Sequence, residues 1–127
     1  CLAKRPGLFC GGISVAPVSD WTLYDTHYTE RYLGTPASNP DGYPATGVLP
    51  YLTQIEAPLL LMHGMADDNR PVTNPNKLST GMQEANLPFE LMTYPGSKHG
   101  LSEQSVSIHR FTLMTDFLRR LLLPAQV

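Results

Sequence analysis

Two short stretches of the 127-residue chain hold side chains suited to acid–base chemistry. The stretch HGMADDN contains Asp67 and Asp68 directly after an apolar run, and the stretch PGSKHG contains His99. A carboxylate that accepts a ring N–H fixes the tautomer of histidine and stabilises the imidazolium that forms when histidine takes a proton from a nucleophile. An Asp–His pair of this kind requires a fold that brings together Asp67 and His99, which are 32 positions apart.

Three apolar segments predict the β-strands that would carry these loops. Residues 10–19 are rich in β-branched side chains and are bounded by glycine and proline, and residues 89–96 precede the loop of His99. Residues 58–62 are apolar without alternation, which is typical of a parallel strand covered on both faces. The polar loops therefore follow the second and third predicted strands.

Helices are predicted between the strands and after the last one. They cover three segments: from Asp20 as N-cap to Gly34, from Asn74 as N-cap to near Asn86, and over residues 106–123. Residues 35–50 contain four prolines and are predicted to be a loop. Strands alternating with helices indicate an α/β fold with a small parallel sheet and flanking helices. Because the carboxyl ends of parallel strands meet at one edge, the two polar loops are expected to be neighbours.

The order of the polar residues matches part of a known catalytic arrangement. In α/β-hydrolases the triad follows the chain order Ser, Asp, His, and either Asp67 or Asp68 followed by His99 fits the last two members. The nucleophile would need a Gly-x-Ser-x-Gly turn between a strand and a helix, and this sequence has none. Ser14 has Gly12 two residues before it but Ala16 two residues after it. The residues alone thus predict two members of a triad and leave open which aspartate takes part.

Composition excludes several other classes of function. A net charge of −2 with 16% charged residues offers no basic surface for nucleic acid, so no nucleic-acid partner is expected. The apolar runs are far shorter than the roughly 18 residues that suggest a membrane span. Cys1 and Cys10 are the only cysteines and lack the clustered spacing of a zinc site, and no metal or organic cofactor is implied.

Three longer stretches carry a resemblance to a known family. They are GGISVAPVSDWTLYDTHYTERYLG, LLLMHGMADDN and FELMTYPGSKHGL. Together they resemble the C-terminal part of the catalytic domain in the prolyl oligopeptidase family of serine peptidases, in particular its dipeptidyl peptidase IV-like members. The resemblance runs nearly end to end and is weakest over residues 36–50 and in the last helix. It implies that residues 1–127 are a partial α/β-hydrolase catalytic domain, the C-terminal half of the fold, without the nucleophile-bearing N-terminal half or a β-propeller.

The resemblance also assigns roles to particular residues. It places the catalytic aspartate at Asp67 and the catalytic histidine at His99, which leaves Asp68 to shape the turn. Asn69 matches an asparagine that holds the substrate backbone. The wall of the pocket for the residue before the cleaved bond, usually proline, matches Val18, Trp21, Tyr24 and Tyr28. Arg70 departs from the family, in which an apolar residue usually lies at the pocket edge.

The activity that the resemblance implies is the release of N-terminal dipeptides with proline or alanine in second position, from a peptide substrate. The family's nucleophilic serine is expected a few residues upstream of Cys1, so the isolated chain is expected to be inactive. Two alternatives remain: a hydrolase-fold module that only binds, or an acyl-peptide hydrolase or esterase of the same fold. The pattern of Tyr24 and Tyr28 argues against the second.

Assembly and location are likewise implied only by the resemblance. The family's enzymes are often homodimers in which the terminal helix takes part, and bacterial relatives are commonly periplasmic or secreted. Missing strands would leave an apolar sheet edge exposed, so the isolated chain is predicted to self-associate.

Overall fold

A computed structural model of the chain describes residues 1–66 and 73–123. Its centre is strand β2, Leu59–Gly64, which lies between β1, Gly12–Val15, and β3, Glu90–Tyr94. Both pairings are parallel, with Val15 opposite Met62 and Tyr94 opposite Gly64. The predicted α/β architecture is confirmed, although each outer strand is shorter than the apolar segment that predicted it.

Strand β2 is buried along its whole length, and its side chains alternate between two hydrophobic clusters. Leu59 and Leu61 pack with a first cluster that includes Leu52, Leu78 and Met82. On the other face lies a second cluster made of Leu60, Met62, Tyr94, Leu101 and Phe117. Fully burying an aliphatic side chain is worth about 1.5–3 kcal/mol, so the unbroken apolar sequence of β2 stabilises both layers.

The described residues form four α-helices and two 3₁₀ segments. The α-helices are α1, Thr26–Leu33; α2, Gly42–Thr46; α3, Thr73–Glu84; and α4, Gln104–Leu122. The 3₁₀ segments are Trp21–Leu23 and Leu49–Gln54. The predicted last helix is confirmed as α4, and α3 stops close to Asn86, whose φ of 53° ends the helical run.

The helix predicted from Asp20 to Gly34 is wrong in its first third. Asp20 accepts a hydrogen bond from the Thr22 backbone and caps only the 3₁₀ turn. Asp25 then accepts from the His27 backbone at 2.8 Å and caps α1. Two aspartates that each satisfy a separate helix start divide the segment, because an N-cap residue has non-helical backbone angles.

The prediction of an irregular loop over residues 35–50 is also wrong. It contains α2 and the start of the second 3₁₀ segment. Pro44 and Pro50 lie in the first turns of these elements, where the missing N–H has no helical partner to lose. A high proline content was therefore compatible with short helices.

The sequence predicted Asn74 as the N-cap of α3, and this prediction is wrong. It lies inside the first turn of the helix, fully buried. Its side-chain oxygen accepts hydrogen bonds from the backbone of Ser19 and Asp20 instead of from its own helix. A contact across the fold has replaced the local cap.

Candidate functional site

The loops that follow β2 and β3 are hydrogen-bonded to each other at the carboxyl edge of the sheet. The Met65 N–H donates to the Tyr94 carbonyl at 3.1 Å, and the Ala66 N–H donates to the Ser97 carbonyl at 3.1 Å. Ala66 directly precedes Asp67 in the sequence, and Ser97 is two residues before His99. The predicted proximity of the two loops is therefore confirmed up to Ala66.

Gly64 makes this approach possible. A Cβ atom at this position would lie 2.5 Å from the Ser97 carbonyl oxygen and 2.6 Å from that of Lys98. Both neighbours are backbone atoms, so a side chain here would force the loop of His99 away from β2. The last residue of the strand must be glycine for the two loops to touch.

The loop of His99 is fixed from its other side by α4. The Ser107 hydroxyl donates to the Leu101 carbonyl at 3.0 Å, and the Arg110 guanidinium donates to the Gly100 carbonyl at 3.3 Å. Leu101 is buried in the cluster beneath, with a φ of 46°. His99 itself is half-buried. The backbone on its C-terminal side is thus held by packing and hydrogen bonds, while His99 is still partly open to solvent.

Two residues of the predicted site, Asp67 and Asn69, lie outside the described residues. The predicted turn residue Asp68 and the departure from the family at Arg70 lie outside them as well. The pairing of Asp67 with His99, and the substrate contact of Asn69, therefore stay predictions. The described chain resumes at Thr73, in the first turn of α3.

The three aromatic residues of the predicted pocket wall contact each other, although the helix begins later than expected. Trp21 lies edge-on to Tyr24 at 5.8 Å between ring centroids and stacks with Tyr28 at 6.3 Å. Tyr24 and Tyr28 are edge to face at 5.6 Å, and Tyr32 extends the row. Trp21, Tyr28 and Tyr32 line a cavity of about 270 Å³. Flat apolar faces of this kind suit a small ring such as that of proline.

Val18 is not part of this aromatic row. It lines a separate cavity of about 690 Å³, together with Ile13 and Tyr51. Of the four residues matched to the pocket wall, the structure brings together Trp21, Tyr24 and Tyr28.

The sequence did not predict the polar contact that anchors the wall. Asn74 Oδ1 accepts from the Ser19 N–H at 3.1 Å, from the Asp20 N–H at 3.0 Å and from the Ser19 hydroxyl at 3.1 Å. The Ser19 hydroxyl is also 2.8 Å from the Asn74 carbonyl. The available signal was Ser19, a polar residue at the end of the first apolar segment. Ser19 and Asn74 are 55 positions apart, however, and no local sequence pattern links the two residues.

Asp20 adds an ion pair to this contact. Its carboxylate lies 2.9 Å from the Lys77 ammonium and accepts from the Thr22 hydroxyl at 2.6 Å. Burial raises the pKa of Asp20, but the hydrogen bonds from Thr22 and Lys77 outweigh it and hold the pKa below the usual value of 3.8.

Within residues 1–66 and 73–123, no three His, Cys, Asp or Glu side chains group in a way that could hold a metal ion. None of the helices found there has both the length and the apolar character to cross a bilayer.

Comparison with known proteins gives one consistent result. The family model described as the prolyl oligopeptidase family matches residues 1–124. Dipeptidyl peptidase 4 of Bos taurus is 38% identical over 122 residues, which are 94% of this chain and 16% of the relative. Prolyl endopeptidase FAP of Homo sapiens is 39% identical over 124 residues, again 94% of this chain and 16% of the relative.

A solved structure agrees with these relatives. The crystal structure of Porphyromonas gingivalis dipeptidyl peptidase 4 superposes with a TM-score of 0.92 at 36% identity, covering 95% of this chain and 17% of that one. The chain thus spans only about a sixth of the length of the proteins it matches. The α/β-hydrolase assignment and the predicted resemblance are both confirmed: the chain belongs to the prolyl oligopeptidase family.

Proposed function

We propose that this chain supplies the aspartate, the histidine and the proline-side wall of a serine peptidase that releases dipeptides from peptide amino termini. One observation carries the proposal. The backbone hydrogen bonds from Met65 and Ala66 hold the loop of His99 against the end of β2, immediately before Asp67, and Gly64 leaves room for that approach. In a member of the prolyl oligopeptidase family, these are the two loops that an Asp–His pair requires.

In the proposed mechanism His99 acts first as a general base and then as a general acid. It takes the proton of the attacking serine hydroxyl and returns it to the leaving amine. Asp67 accepts the other ring N–H, holds the tautomer and stabilises the imidazolium. The serine would come from a part of the protein outside these 127 residues.

Substrate selection would come from the aromatic wall and Asn69. Trp21, Tyr24 and Tyr28 would pack against the ring of the residue before the cleaved bond. Dipeptide release is favoured by the names of the bovine and P. gingivalis relatives, whereas the human relative is named an endopeptidase. The requirement for a substrate with a free amino terminus is therefore part of the proposal to be tested.

The test uses the full-length protein that contains this chain, with Gly-Pro-p-nitroanilide as substrate. We expect His99→Gln to lower kcat by about 10⁴–10⁶, since the residual rate then comes from binding and the oxyanion site alone. Asp67→Asn should lower kcat by about 10⁴. His27→Gln and Asp68→Asn are matched controls, expected to stay within about threefold of wild type.

Other results would favour the alternatives. Full activity in His99→Gln would contradict the triad assignment, and a folded wild type without any hydrolysis would favour a binding module. Preference for an N-acetylated substrate over the free amine would favour an acyl-peptide hydrolase.

The isolated 127-residue chain should be catalytically silent, because losing the serine of a triad costs on the order of 10⁶ in turnover. The measurement is dipeptide release by the purified chain at high concentration. Cleavage by this chain that Asp67→Asn abolishes would refute the prediction.

A further inference from the structure

A buried polar contact joins the loop after β1 to the first turn of α3. Ser19 and Asn74 both have 0% of their surface exposed. Asn74 Oδ1 accepts from the backbone N–H groups of Ser19 and Asp20, and the Ser19 hydroxyl completes the contact. Removing the Asn74 acceptor would leave the backbone N–H groups of Ser19 and Asp20 without this partner, and Ser19 is fully buried. Leaving a buried donor unpaired costs more free energy than the net contribution of the hydrogen bond itself.

The contact fixes the point from which the aromatic wall starts. Ser19 is also held from the opposite side, since the Val48 N–H donates to its carbonyl at 3.0 Å. Asp20 caps the 3₁₀ turn Trp21–Leu23 and pairs with Lys77 of α3. Both residues that precede Trp21 are therefore tied to α3, which couples the start of the wall to that helix.

The other end of the contact, Asn74, is close in sequence to the predicted catalytic residue Asp67. Asn74 is the second residue of α3, which comes directly after residues 67–72. We propose that Asn74 is a positioning residue that holds the start of the aromatic wall against α3, and thereby sets selection for proline over alanine. This inference rests on the proposed function, and it concerns a residue that would not touch the substrate.

The contact can be tested without any catalysis, because Trp21 is the only tryptophan of the 127-residue chain. Asn74→Ala should red-shift Trp21 emission and strengthen acrylamide quenching. Asn74→Asp should restore both, since it keeps an acceptor oxygen at the N-terminal turn of α3, where negative charge is favoured. Ser19→Ala, which keeps both backbone bonds, is a milder second variant that should shift emission in the same direction.

Met82→Ala is the matched control for loss of stability. It lies on α3 and is buried in the first cluster, away from Ser19. Far-UV circular dichroism identifies a temperature at which wild type and every variant are folded. Trp21 emission is then compared at that temperature. Unchanged Trp21 emission in folded Asn74→Ala and Ser19→Ala, or an equal shift in Met82→Ala, would overturn the positioning role.

Kinetics of the full-length protein test the effect on specificity. Asn74→Ala should lower kcat/KM for Gly-Pro-p-nitroanilide about tenfold, mainly by raising KM. The same variant should lower kcat/KM for Gly-Ala-p-nitroanilide by less than about threefold. Asn74→Asp should recover the proline preference. Equal losses on both substrates would overturn the claim on selection, because a general loss of folded enzyme affects both alike.

The two levels of proposal fail in different ways. A wild type that cleaves neither substrate overturns the proposed function, and the claim on proline selection with it. The Trp21 signal then still decides whether Asn74 positions the wall.

Discussion

Gly64 is the residue on which the contact between the two candidate catalytic loops depends. We expect Gly64→Ala to lower the free energy of unfolding by about 1–3 kcal/mol, because the new methyl would meet two backbone carbonyls that can move only with their loop. Urea denaturation of the chain measures this loss. In the full-length protein the same variant should lower kcat, since the loop that shifts carries His99.

Gly100→Ala is the control for Gly64→Ala. Gly100 lies in the loop of His99, and the nearest described atoms to an added Cβ would be those of Ser102 at 3.8 Å, an ordinary contact distance. Its stability should stay within about 0.5 kcal/mol of wild type. Equal stability of the two variants would show that the β2–β3 edge tolerates a side chain, and would contradict the steric argument.

The lowered pKa of Asp20 predicts a contribution to stability that depends on pH. Because the folded pKa lies below the usual 3.8, the unfolded chain binds more protons in this range, and the contribution is lost as pH falls through the folded pKa. Asp20→Asn should therefore be less stable than wild type at about pH 7, with the difference narrowing towards about pH 2–3. Thermal denaturation at both pH values measures it.

Asp41→Asn is the matched control, since Asp41 is exposed and its side chain makes no cap hydrogen bond. It should leave the melting temperature unchanged relative to wild type at both pH values. A difference between wild type and Asp20→Asn that stays constant with pH would mean that the carboxylate contributes through packing and not through its charge.

At the scale of elements, α4 holds the sheet through one buried aromatic side chain. Phe117 is 2% exposed and packs in the second cluster, whereas Phe111 on the same helix is 58% exposed. Phe117→Ala should lower the free energy of unfolding by about 3–5 kcal/mol, and Phe111→Ala by less than about 0.5 kcal/mol. Equal losses in urea denaturation of dilute chain would contradict the assignment of the buried face.

The sequence predicted the elements well where a single physical requirement dominates. The unbroken apolar run of β2 needs cover on both faces, and the spacing along α4 needs one buried stripe, so both were predicted nearly to their ends. Local pattern failed where two requirements compete. Asp20 and Asp25 each cap a separate turn, and Asn74 could cap its own helix or bind a distant backbone. The binding of Asn74 to a distant backbone depends on contacts across the fold, which a short stretch of sequence does not contain.

The candidate site shows the same division between local and distant information. The loop of His99 could be placed next to the end of β2 from strand order alone, because parallel strands end at a common edge. The roles of Trp21, Tyr24 and Tyr28 came from resemblance, since an aromatic stripe by itself is more typical of core packing than of a pocket wall. Their anchoring by Ser19 and Asn74 required the structure.

At the scale of the whole molecule, the described part of the chain exposes much apolar surface. Within residues 1–66 and 73–123, β1 and β3 each pair with β2 alone, so both are edge strands there. Helix α4 also exposes an apolar stripe with spacings of three, seven and four, formed by Ile108, Phe111, Leu118 and Leu122. Unpaired strand edges and a helix seam of this kind both favour association.

We therefore expect the isolated chain to self-associate at micromolar concentration, and light scattering over a dilution series measures this. Phe111→Lys should shift the equilibrium towards monomer if the α4 stripe contributes, because a charge in an apolar seam must be desolvated. Thr112→Lys adds the same charge at the adjacent exposed position and should have a smaller effect. A monomer at every concentration would refute the prediction, and equal effects of the two variants would assign the association to the strand edges, which neither variant alters.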